Sequence, residues 1–387
     1  MTTLQSATVY SLRIPFVSAF THHRAARSFC DSVVVKVVDD AGIEGFGEGA
    51  PRPYVTGETA AFMVDHLSSD LLPATFGREL PTLTTASDLA LVDELLPDHC
   101  RSTVRSDNAS RAALELAIVD CVLRRGGAAA ADLFVVRGQS VTYSGVISAG
   151  SIETAMAQAR QMRLIGLRQI KIKVGFADDV ALVRSVREVL GADVSLRLDA
   201  NGAWTLAEAV ETLDALTPYG IAAVEEPLAG GCIDDLAGLR NETLIPVVVD
   251  ESLLTLEDAE LLIERGAADI FNIRVSKCGG LGRSLAIAQC AMRAGIRVQI
   301  GAQVGETAIL SAAGRLLAAS VPDVVFSEGS YGTLLLVEDI SYDEVRFGRG
   351  GAAQVLGSAG LGARVDEGLL RKYSSSVHEL QLSRTLR

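Results

Sequence analysis

Five charged residues recur at a nearly constant interval through the second half of the chain. They are Lys173, Asp199, Glu225, Asp250 and Lys277, separated by 26, 26, 25 and 27 residues. Charged side chains are normally depleted from buried strands, yet each of these follows a short apolar run. The interval matches one strand-helix unit of an α/β barrel, in which the ends of successive strands gather at one face. The pattern therefore predicts a single polar site.

The three acidic members of the series have the chemistry of a metal site. Asp199, Glu225 and Asp250 end the third, fourth and fifth predicted strands, so their carboxylates converge. Converging carboxylates repel one another unless a hard cation lies between them, and oxygen ligands suit Mg²⁺, with Mn²⁺ as the alternative ion. Glu226 and Glu251 each follow a ligand and should point away by alternation, as supporting residues.

The lysines stand on either side of this predicted metal. Lys173 is on the second strand and Lys277 on the sixth, four strands apart in a ring of eight and hence on opposite walls. Lys171 faces the same way as Lys173 by alternation and, with the metal, should make Lys173 a better base. Together they predict removal of a proton α to a carboxylate, with the metal and the ammonium groups neutralising the enediolate. Asn201 is either a substrate-contacting or supporting residue, or a plain turn residue.

Eight apolar runs supply the strands that must position these residues. They occupy residues 141–148, 169–174, 194–198, 221–225, 246–250, 269–275, 298–300 and 324–326. Amphipathic helical patterns separate them, which is the order of a closed α/β barrel. An open doubly wound sheet is the rival fold. The glycines Gly45, Gly47 and Gly49, however, have the wrong spacing for its phosphate-binding turn and open no helix.

The residues before the barrel predict a smaller α+β domain. Strand patterns cover residues 7–14, 32–38 and 43–47, and helical patterns cover 58–72 and 108–124. We assign residues 1–130 to this domain, 131–340 to the barrel and 341–387 to a C-terminal segment that returns to the first domain.

Composition excludes several classes of partner. The 387 residues are 49% apolar and carry a net charge of −13, which would repel the phosphate backbone of a nucleic acid. The chain shows neither a signal peptide at its start nor an apolar run long enough to span a membrane. Six scattered cysteines without a C-x-x-C pair are typical of reduced thiols, which favours a cytoplasmic location.

Five segments resemble the motif series of the enolase superfamily, muconate-lactonizing subgroup. They are Lys171-Ile172-Lys173, Leu198-Asp199-Ala200-Asn201-Gly202, Val224-Glu225-Glu226-Pro227, Val249-Asp250-Glu251-Ser252 and Ser276-Lys277-Cys278-Gly279-Gly280. The resemblance covers nearly the whole chain. It implies a modified (β/α)7β barrel of the TIM type with an α+β capping domain, Mg²⁺ on the three carboxylates, and Lys173 and Lys277 as acid and base. All five histidines lie outside the barrel, which excludes the subgroup that uses a barrel histidine as base.

The resemblance also implies where the substrate binds. In this family, specificity comes from capping-domain loops and the ends of the last two strands, which gives His22, Tyr54, Gln303 and Glu328 as candidates here. His22 contacts the substrate or, with its neighbour His23, belongs to a solvated loop. The stretch 49–58 is similar to dipeptide epimerases. Their Asp-x-Asp motif at the eighth strand is replaced by Ser327-Glu328-Gly329, and residues 328–336 are more similar to muconate cycloisomerases.

These observations predict a Mg²⁺-dependent isomerase that racemises or epimerises an amino-acid derivative by means of two opposed lysines. The alternatives are a cycloisomerase of an unsaturated diacid and a lyase, either like o-succinylbenzoate synthase or an acid dehydratase. A barrel that serves only as a scaffold is the non-enzymatic alternative. We expect a small carboxylate as the substrate and a homo-oligomer as the state of the protein.

Overall fold

A computed structural model describes residues 2–22, 25–97, 101–148, 151–229 and 232–382, without the side chains of residues 19–22 and 25–26. Within these ranges the chain forms an antiparallel sheet domain and a barrel of parallel strands. Strands and α-helices are numbered separately, in chain order.

The first domain is built on an antiparallel sheet in the order β16-β1-β4-β5 and a separate two-stranded ribbon, β2-β3. Its strands are β1 (Leu4–Leu12), β2 (Pro15–His22), β3 (Ala25–Phe29), β4 (Val33–Asp39), β5 (Glu44–Gly49) and β16 (Ser374–Gln381). Its helices are α1 (Ala60–His66), α2 (Leu72–Thr75), α3 (Leu89–Asp93) and α4 (Asn108–Gly126), with a π-helical turn at Leu67–Leu71 between α1 and α2. Because β16 pairs with β1, residues near the C-terminal end of the described chain complete the sheet of this domain.

Three glycines allow β5 to lie directly on α4. A Cβ atom at Gly45, Gly47 or Gly49 would come within 2.0–2.3 Å of a backbone oxygen of α4. Contacts this short do not occur in proteins, so a side chain at any of the three would force the strand and the helix apart. These glycines, which the sequence left without a function, therefore set the distance between the sheet and its main helix.

The barrel contains eight parallel strands that follow one another in chain order from β7 to β14. They are β7 (Gly145–Ile147), β8 (Gln169–Lys173), β9 (Ser195–Asp199), β10 (Ile221–Glu225), β11 (Val247–Val249), β12 (Ile270–Ile273), β13 (Arg297–Ile300) and β14 (Val324–Ser327). The backbone N–H of Ser144 donates to the carbonyl of Ser327 at 2.8 Å and joins the first strand to the last.

Seven helices connect these strands in the described part of the chain, which gives the (β/α)7β order. They are α5 (Ile152–Leu164), α6 (Asp179–Leu190), α7 (Leu206–Leu216), α8 (Ile233–Glu242), α9 (Leu256–Glu264), α10 (Leu281–Arg293) and α11 (Ala308–Ser320). Helix α12 (Glu367–Lys372) precedes β16. Short 3₁₀ turns lie at Ala86–Asp88, Ala130–Leu133, Thr217–Tyr219, Gly332–Leu334 and Arg349–Gly351. None of the described helices is long and apolar enough to cross a membrane.

Local sequence explains where the barrel helices begin and which face they bury. Thr205 and Glu208 form a capping box at the start of α7, as Thr255 and Asp258 do at the start of α9. The apolar stripe of α6 is buried against the barrel.

The sequence prediction was wrong about the first apolar run, residues 141–148. It contains two strands, β7 and the shorter β6 (Ser140–Thr142), which pairs antiparallel with β15 (Ala352–Gln354) outside the barrel. The chain bends between them because Tyr143 donates its N–H to the carbonyl of Gly351. A continuous apolar run does not reveal such a bend.

Carboxylates of the first domain cap helices of the barrel. Glu115, on α4, accepts hydrogen bonds from the N–H groups of Leu281 and Gly282 at 3.0 and 2.8 Å, where α10 begins. Glu48, on β5, accepts from Thr307 at the start of α11. Acceptors at helix N-termini satisfy N–H groups that lack partners within the helix. These bonds therefore hold the loops after β12 and β13 in place.

Candidate active site

A cavity of about 340 Å³ lies where the barrel strands end, beneath the first domain. Its polar lining includes Lys171, Lys173, Asn201, Arg274, Gln303 and Glu328. Ser18 and Tyr54 line it from the first domain, and side chains such as Met162, Leu167 and Phe347 give it an apolar wall. A mainly apolar cavity with a few convergent charged groups has the character of a small-molecule site.

Lys173 ends β8 with its amine at the edge of the cavity. Its Nζ lies 2.6 Å from Oδ2 of Asp199 and 2.8 Å from Oδ1 of Asn201. Asn201 has a left-handed backbone with φ of 47° and donates its amide to Glu251 at 3.0 Å. Asn adopts this conformation more readily than most residues, and the contacts of Asn201 with Lys173 and Glu251 place it in the cavity wall.

Lys171 lies behind Lys173 and contacts three carboxylates. Its Nζ is 2.8 Å from Glu328, 3.0 Å from Asp199 and 3.1 Å from Glu225. Burial alone would lower the pKa of Lys171, but Glu225, Glu328 and Asp199 together raise it above its usual value. Lys171 is therefore held as an ammonium ion two residues from Lys173.

Asp199, Glu225 and Asp250 are almost completely buried at the ends of neighbouring strands. Glu225 accepts hydrogen bonds from the side-chain amides of Asn272 and Gln299 at 3.1 and 2.9 Å. Burial raises the pKa of Glu225 well above its usual range; Asp199 adds to the rise, although Lys171 opposes it. The negative charge of these buried carboxylates must be balanced by positive charge nearby.

Basic side chains supply this positive charge in the structure. Lys173 faces Asp199, Lys171 lies between Asp199 and Glu225, and the guanidinium of Arg274 contacts Glu225 and Asp250. Among the described residues, no three acidic, histidine or cysteine side chains are already arranged as a metal cage.

The chemistry of the donor set nevertheless fits a divalent ion. One nitrogen spans each neighbouring pair of carboxylates, that of Lys171 between Asp199 and Glu225 and that of Arg274 between Glu225 and Asp250, so each carboxylate already shares a cation with its neighbour. A fourth carboxylate, that of Glu251, has its Oε2 buried without a hydrogen-bond partner. Carboxylate oxygens of this kind are the ligands that Mg²⁺ prefers.

The two acidic neighbours of the carboxylates behave differently from each other. Glu226 accepts from the N–H of Asp250 at 2.8 Å and from the hydroxyl of Ser252, and so supports the fifth strand end. Glu251 was expected to point away from the site, and this orientation was wrong: it bonds Asn201 in the cavity wall. Strand β11 stops at Val249, so the alternation of side chains no longer applies at residue 251.

The structure places Lys277 away from the cavity lining. Its Nζ is buried and donates to the backbone carbonyls of Asp250 and Asn272 at 2.6 and 2.8 Å, with the Asp250 carboxylate at 3.0 Å. The expectation that it faces Lys173 across the cavity does not match this geometry. Strand β12 ends at Ile273, and the chain then turns, so residue 277 has already left the barrel mouth.

The residue of the sixth strand end that lines the cavity is Arg274, which sequence reasoning missed. Its guanidinium contacts Asp250 and donates to Oε1 of Gln303 at 3.2 Å. A signal was available, since Arg274 is a charged residue inside the apolar run 269–275, and it follows Asp250 by 24 residues.

Three of the four substrate-binding candidates line the cavity, namely Tyr54, Gln303 and Glu328. Glu328 is paired with Lys171 at 2.8 Å and Arg197 at 3.0 Å. Although burial opposes it, these two cations lower the pKa of Glu328 to about 2. His22 ends β2, but its side chain lies outside the described part of the structure, as does the whole of His23.

Comparisons with known proteins agree with this architecture. The family model "Enolase C-terminal domain-like" matches residues 154–369. The chain is 32% identical over 320 residues to a hydrophobic dipeptide epimerase of Enterococcus faecalis, covering 80% of this chain and 86% of the relative. It is 30% identical over 338 residues to an N-succinyl-L-Arg/Lys racemase of Bacillus cereus, covering 86% and 88%. Muconate cycloisomerase 1 of Rhodococcus opacus is 27% identical, with coverage of 88% and 90%.

Solved structures of two of these relatives share the whole fold. The crystal structure of the Bacillus cereus racemase superposes with a TM-score of 0.89 at 26% identity, covering 98% of this chain and 100% of that one. The Enterococcus faecalis dipeptide epimerase, solved with Mg and the dipeptide L-Leu-L-Tyr, gives 0.83 at 26% identity, covering 94% and 99%. All three relatives are named as isomerases. The chain therefore belongs to the enolase C-terminal domain-like family, in the muconate-lactonizing enzyme subgroup of the enolase superfamily.

Proposed function

We propose that this protein is a Mg²⁺-dependent isomerase in which Lys173 removes the proton α to the carboxylate of a small substrate. The observation that carries this proposal is the pairing of Lys173, at the cavity edge, with Lys171 held behind it as an ammonium ion. Lys171 is held by three carboxylates, whereas Lys173 carries its amine at the cavity edge beside Asn201, so Lys173 is the amine placed to meet a substrate proton.

Asp199, Glu225 and Asp250 are the residues that would hold the ion, with Glu251 beside them. When bound, Mg²⁺ would act as a Lewis acid toward the substrate carboxylate and lower the energy of the enediolate. Lys173 takes the proton as the C–H bond breaks, and the electron pair moves into the carboxylate. Lys171 and Arg274 contribute fixed positive charge close to the negative charge that develops.

The substrate we propose is an amino-acid derivative whose amine is acylated. The racemase relative is named for N-succinyl amino acids, and the cavity has an apolar wall that suits a side chain or an acyl group. Because Lys171 and Arg197 already pair with Glu328, this carboxylate is not free to bind a substrate ammonium group. A free dipeptide amine therefore has no evident anionic partner at the eighth strand end.

A second candidate is the cycloisomerisation of an unsaturated diacid. The same pairing of Glu328 favours it, because a diacid also lacks an amine and would benefit from the cations Lys171 and Arg274. Its proton-transfer step also uses Lys173, which in this reaction gives a proton to the α-carbon instead of removing one.

Deuterium incorporation tests the step that both candidates share. The wild-type protein is incubated in heavy water with Mg²⁺ and pools of N-acyl amino acids, dipeptides and unsaturated diacids, and products are analysed by mass spectrometry. We expect the wild type to place deuterium on an α-carbon, and Lys173→Ala to lower the rate by about 10²-fold or more. Lys372→Ala, at an exposed ion pair with Glu338, is the matched control. A fully active Lys173→Ala variant would refute the role of this lysine.

A further inference from the structure

We infer that Arg274 stands in the place of a second base, so that protons move to and from a single face of the substrate. This inference rests on the proposed function and narrows it. It excludes racemisation of an acylated amino acid by two opposed bases. Of the two candidate functions it therefore favours the cycloisomerisation of an unsaturated diacid, which Lys173 completes alone.

The position of Arg274 in the barrel is the first step. It follows β12 directly, and Lys173 ends β8, so four strand positions separate the two among the eight strands of the sheet. In a closed ring of eight, such positions lie on opposite walls. Both side chains line the same cavity. Arg274 is thus the group that faces Lys173 across a bound substrate.

Lys277 does not supply the missing base. Its amine donates to two backbone carbonyls and to the Asp250 carboxylate, and it is absent from the cavity lining. To reach the substrate it would have to leave three oxygen partners unpaired in a buried place, which costs about 1–3 kcal/mol for each unsatisfied group. We assign it a positioning role, since it ties the end of β11 to the end of β12.

The chemistry of the guanidinium is the second step. An arginine side chain stays protonated at all pH values at which the protein is folded, offers five N–H donors and has no acceptor. It can stabilise a carboxylate or an enediolate, but it cannot accept a proton from carbon. Glu306, a carboxylate in the same wall, is bound to its own loop through the N–H of Gln303.

Racemisation requires a proton to leave one face of the α-carbon and another to arrive on the opposite face. With a permanent cation on one wall, removal and return both depend on Lys173. The exchanged product should then keep the configuration of the starting material.

Cycloisomerisation of an unsaturated diacid needs proton transfer at one face of the substrate only, so it is compatible with a single base. One substrate carboxylate oxygen bonds to the alkene carbon β to the other carboxylate, and the electron pair of the double bond moves into that second carboxylate as an enediolate. The Lys173 ammonium then gives its proton to the α-carbon, which forms the C–H bond of a lactone. The amine is reprotonated from solvent, so no further reactant is needed.

The test compares the wild type with Arg274→Lys and Arg274→Gln. Each protein is incubated with Mg²⁺ in heavy water and with single enantiomers of N-acyl amino acids, and separately with unsaturated diacids. Chiral chromatography with mass spectrometry then measures exchange and inversion independently. Calorimetric titration with Mg²⁺ and circular dichroism check that each variant is folded and binds the ion.

The wild type is expected to exchange with retention, or to form a lactone from a diacid. Arg274→Lys introduces an amine on the second wall and should raise the ratio of inversion to exchange by about 10²-fold or more, whereas Arg274→Gln should not. Inversion by the wild type at the rate of exchange would overturn the inference and leave the proposed function standing. A wild type that produces neither exchange nor lactone would overturn the proposed function, and the inference with it.

Discussion

Glu115 offers a test of how the first domain holds the barrel, because its buried carboxylate caps α10 across the domain boundary. Burial raises its pKa from 4.5 to about 7, although the N–H groups of Gly282 and Leu281 oppose the rise. Well below pH 4.5, the proton is bound in both states. As pH increases from 4.5 to 7, the unfolded chain loses this proton while the folded protein keeps it. Unfolding becomes easier with rising pH.

The size of the effect follows from the difference in pKa. A shift from 4.5 to about 7 corresponds to a loss of about 3 kcal/mol in the free energy of unfolding between pH 4.5 and 8. Glu115→Gln removes the titration. The free energy of unfolding of the wild type minus that of the variant should therefore fall by this amount over the same range. Taking this difference cancels the groups that titrate alike in both proteins.

Urea unfolding at pH 4.5, 6, 7 and 8 would measure this difference in the free energy of unfolding between the wild type and Glu115→Gln. The probes are circular dichroism and the fluorescence of Trp204, the single tryptophan of the chain. Glu260→Gln, at an exposed position of α9, is the control and should show no such trend. A wild-type-to-Glu115→Gln difference that stays constant across pH would show that Glu115 does not carry a raised pKa in the fold.

Three further predictions concern the metal, the base and the packing of the first domain. Mg²⁺ at 100 times its Kd should raise the free energy of unfolding by about 2.7 kcal/mol, and EDTA should reverse the rise; an Asp250→Asn variant that responds as the wild type does would argue against this ligand. Asn201→Ala removes the partner of Lys173 and Glu251 and should slow α-proton exchange by about 10-fold or more, since misplacing a reacting group is costly; unchanged exchange kinetics would leave Asn201 without a role. Gly47→Ala should lower the free energy of unfolding by about 1–3 kcal/mol, measured by thermal unfolding, because the new methyl would meet α4. A Gly42→Ala control has no atom within 4 Å of the new methyl, although its positive φ adds a small strain of its own.

Strand-end residues were predictable where a strand and its apolar run end together. The run 221–225 coincides with β10 and ends on Glu225, and β8 ends on Lys173, one residue before the end of the run 169–174. Alternation within β8 likewise placed Lys171 and Lys173 on the same side. Within a strand, successive side chains point to opposite faces of the sheet, so the alternation in the sequence gives the direction of each side chain.

The sixth strand end was not predictable in the same way. Arg274 and Lys277 are both basic and lie three residues apart, and the choice between them depends on the path of the chain after Ile273. There Cys278 donates its N–H to the carbonyl of Arg274, which closes a turn and carries residue 277 behind the site. No periodic pattern encodes that turn. A motif that contains Lys277 therefore drew attention to the wrong side chain.

The glycine face of β5 has a consequence for how this protein can change. At Gly45, Gly47 and Gly49 even a methyl group would meet the backbone of α4, so substitutions of any size are excluded at these positions. The intervening position 48 carries Glu48, which caps α11 near the cavity. New specificities should therefore arise from loop residues such as Tyr54. In a library of random variants, those that still fold should carry almost no substitutions in β5.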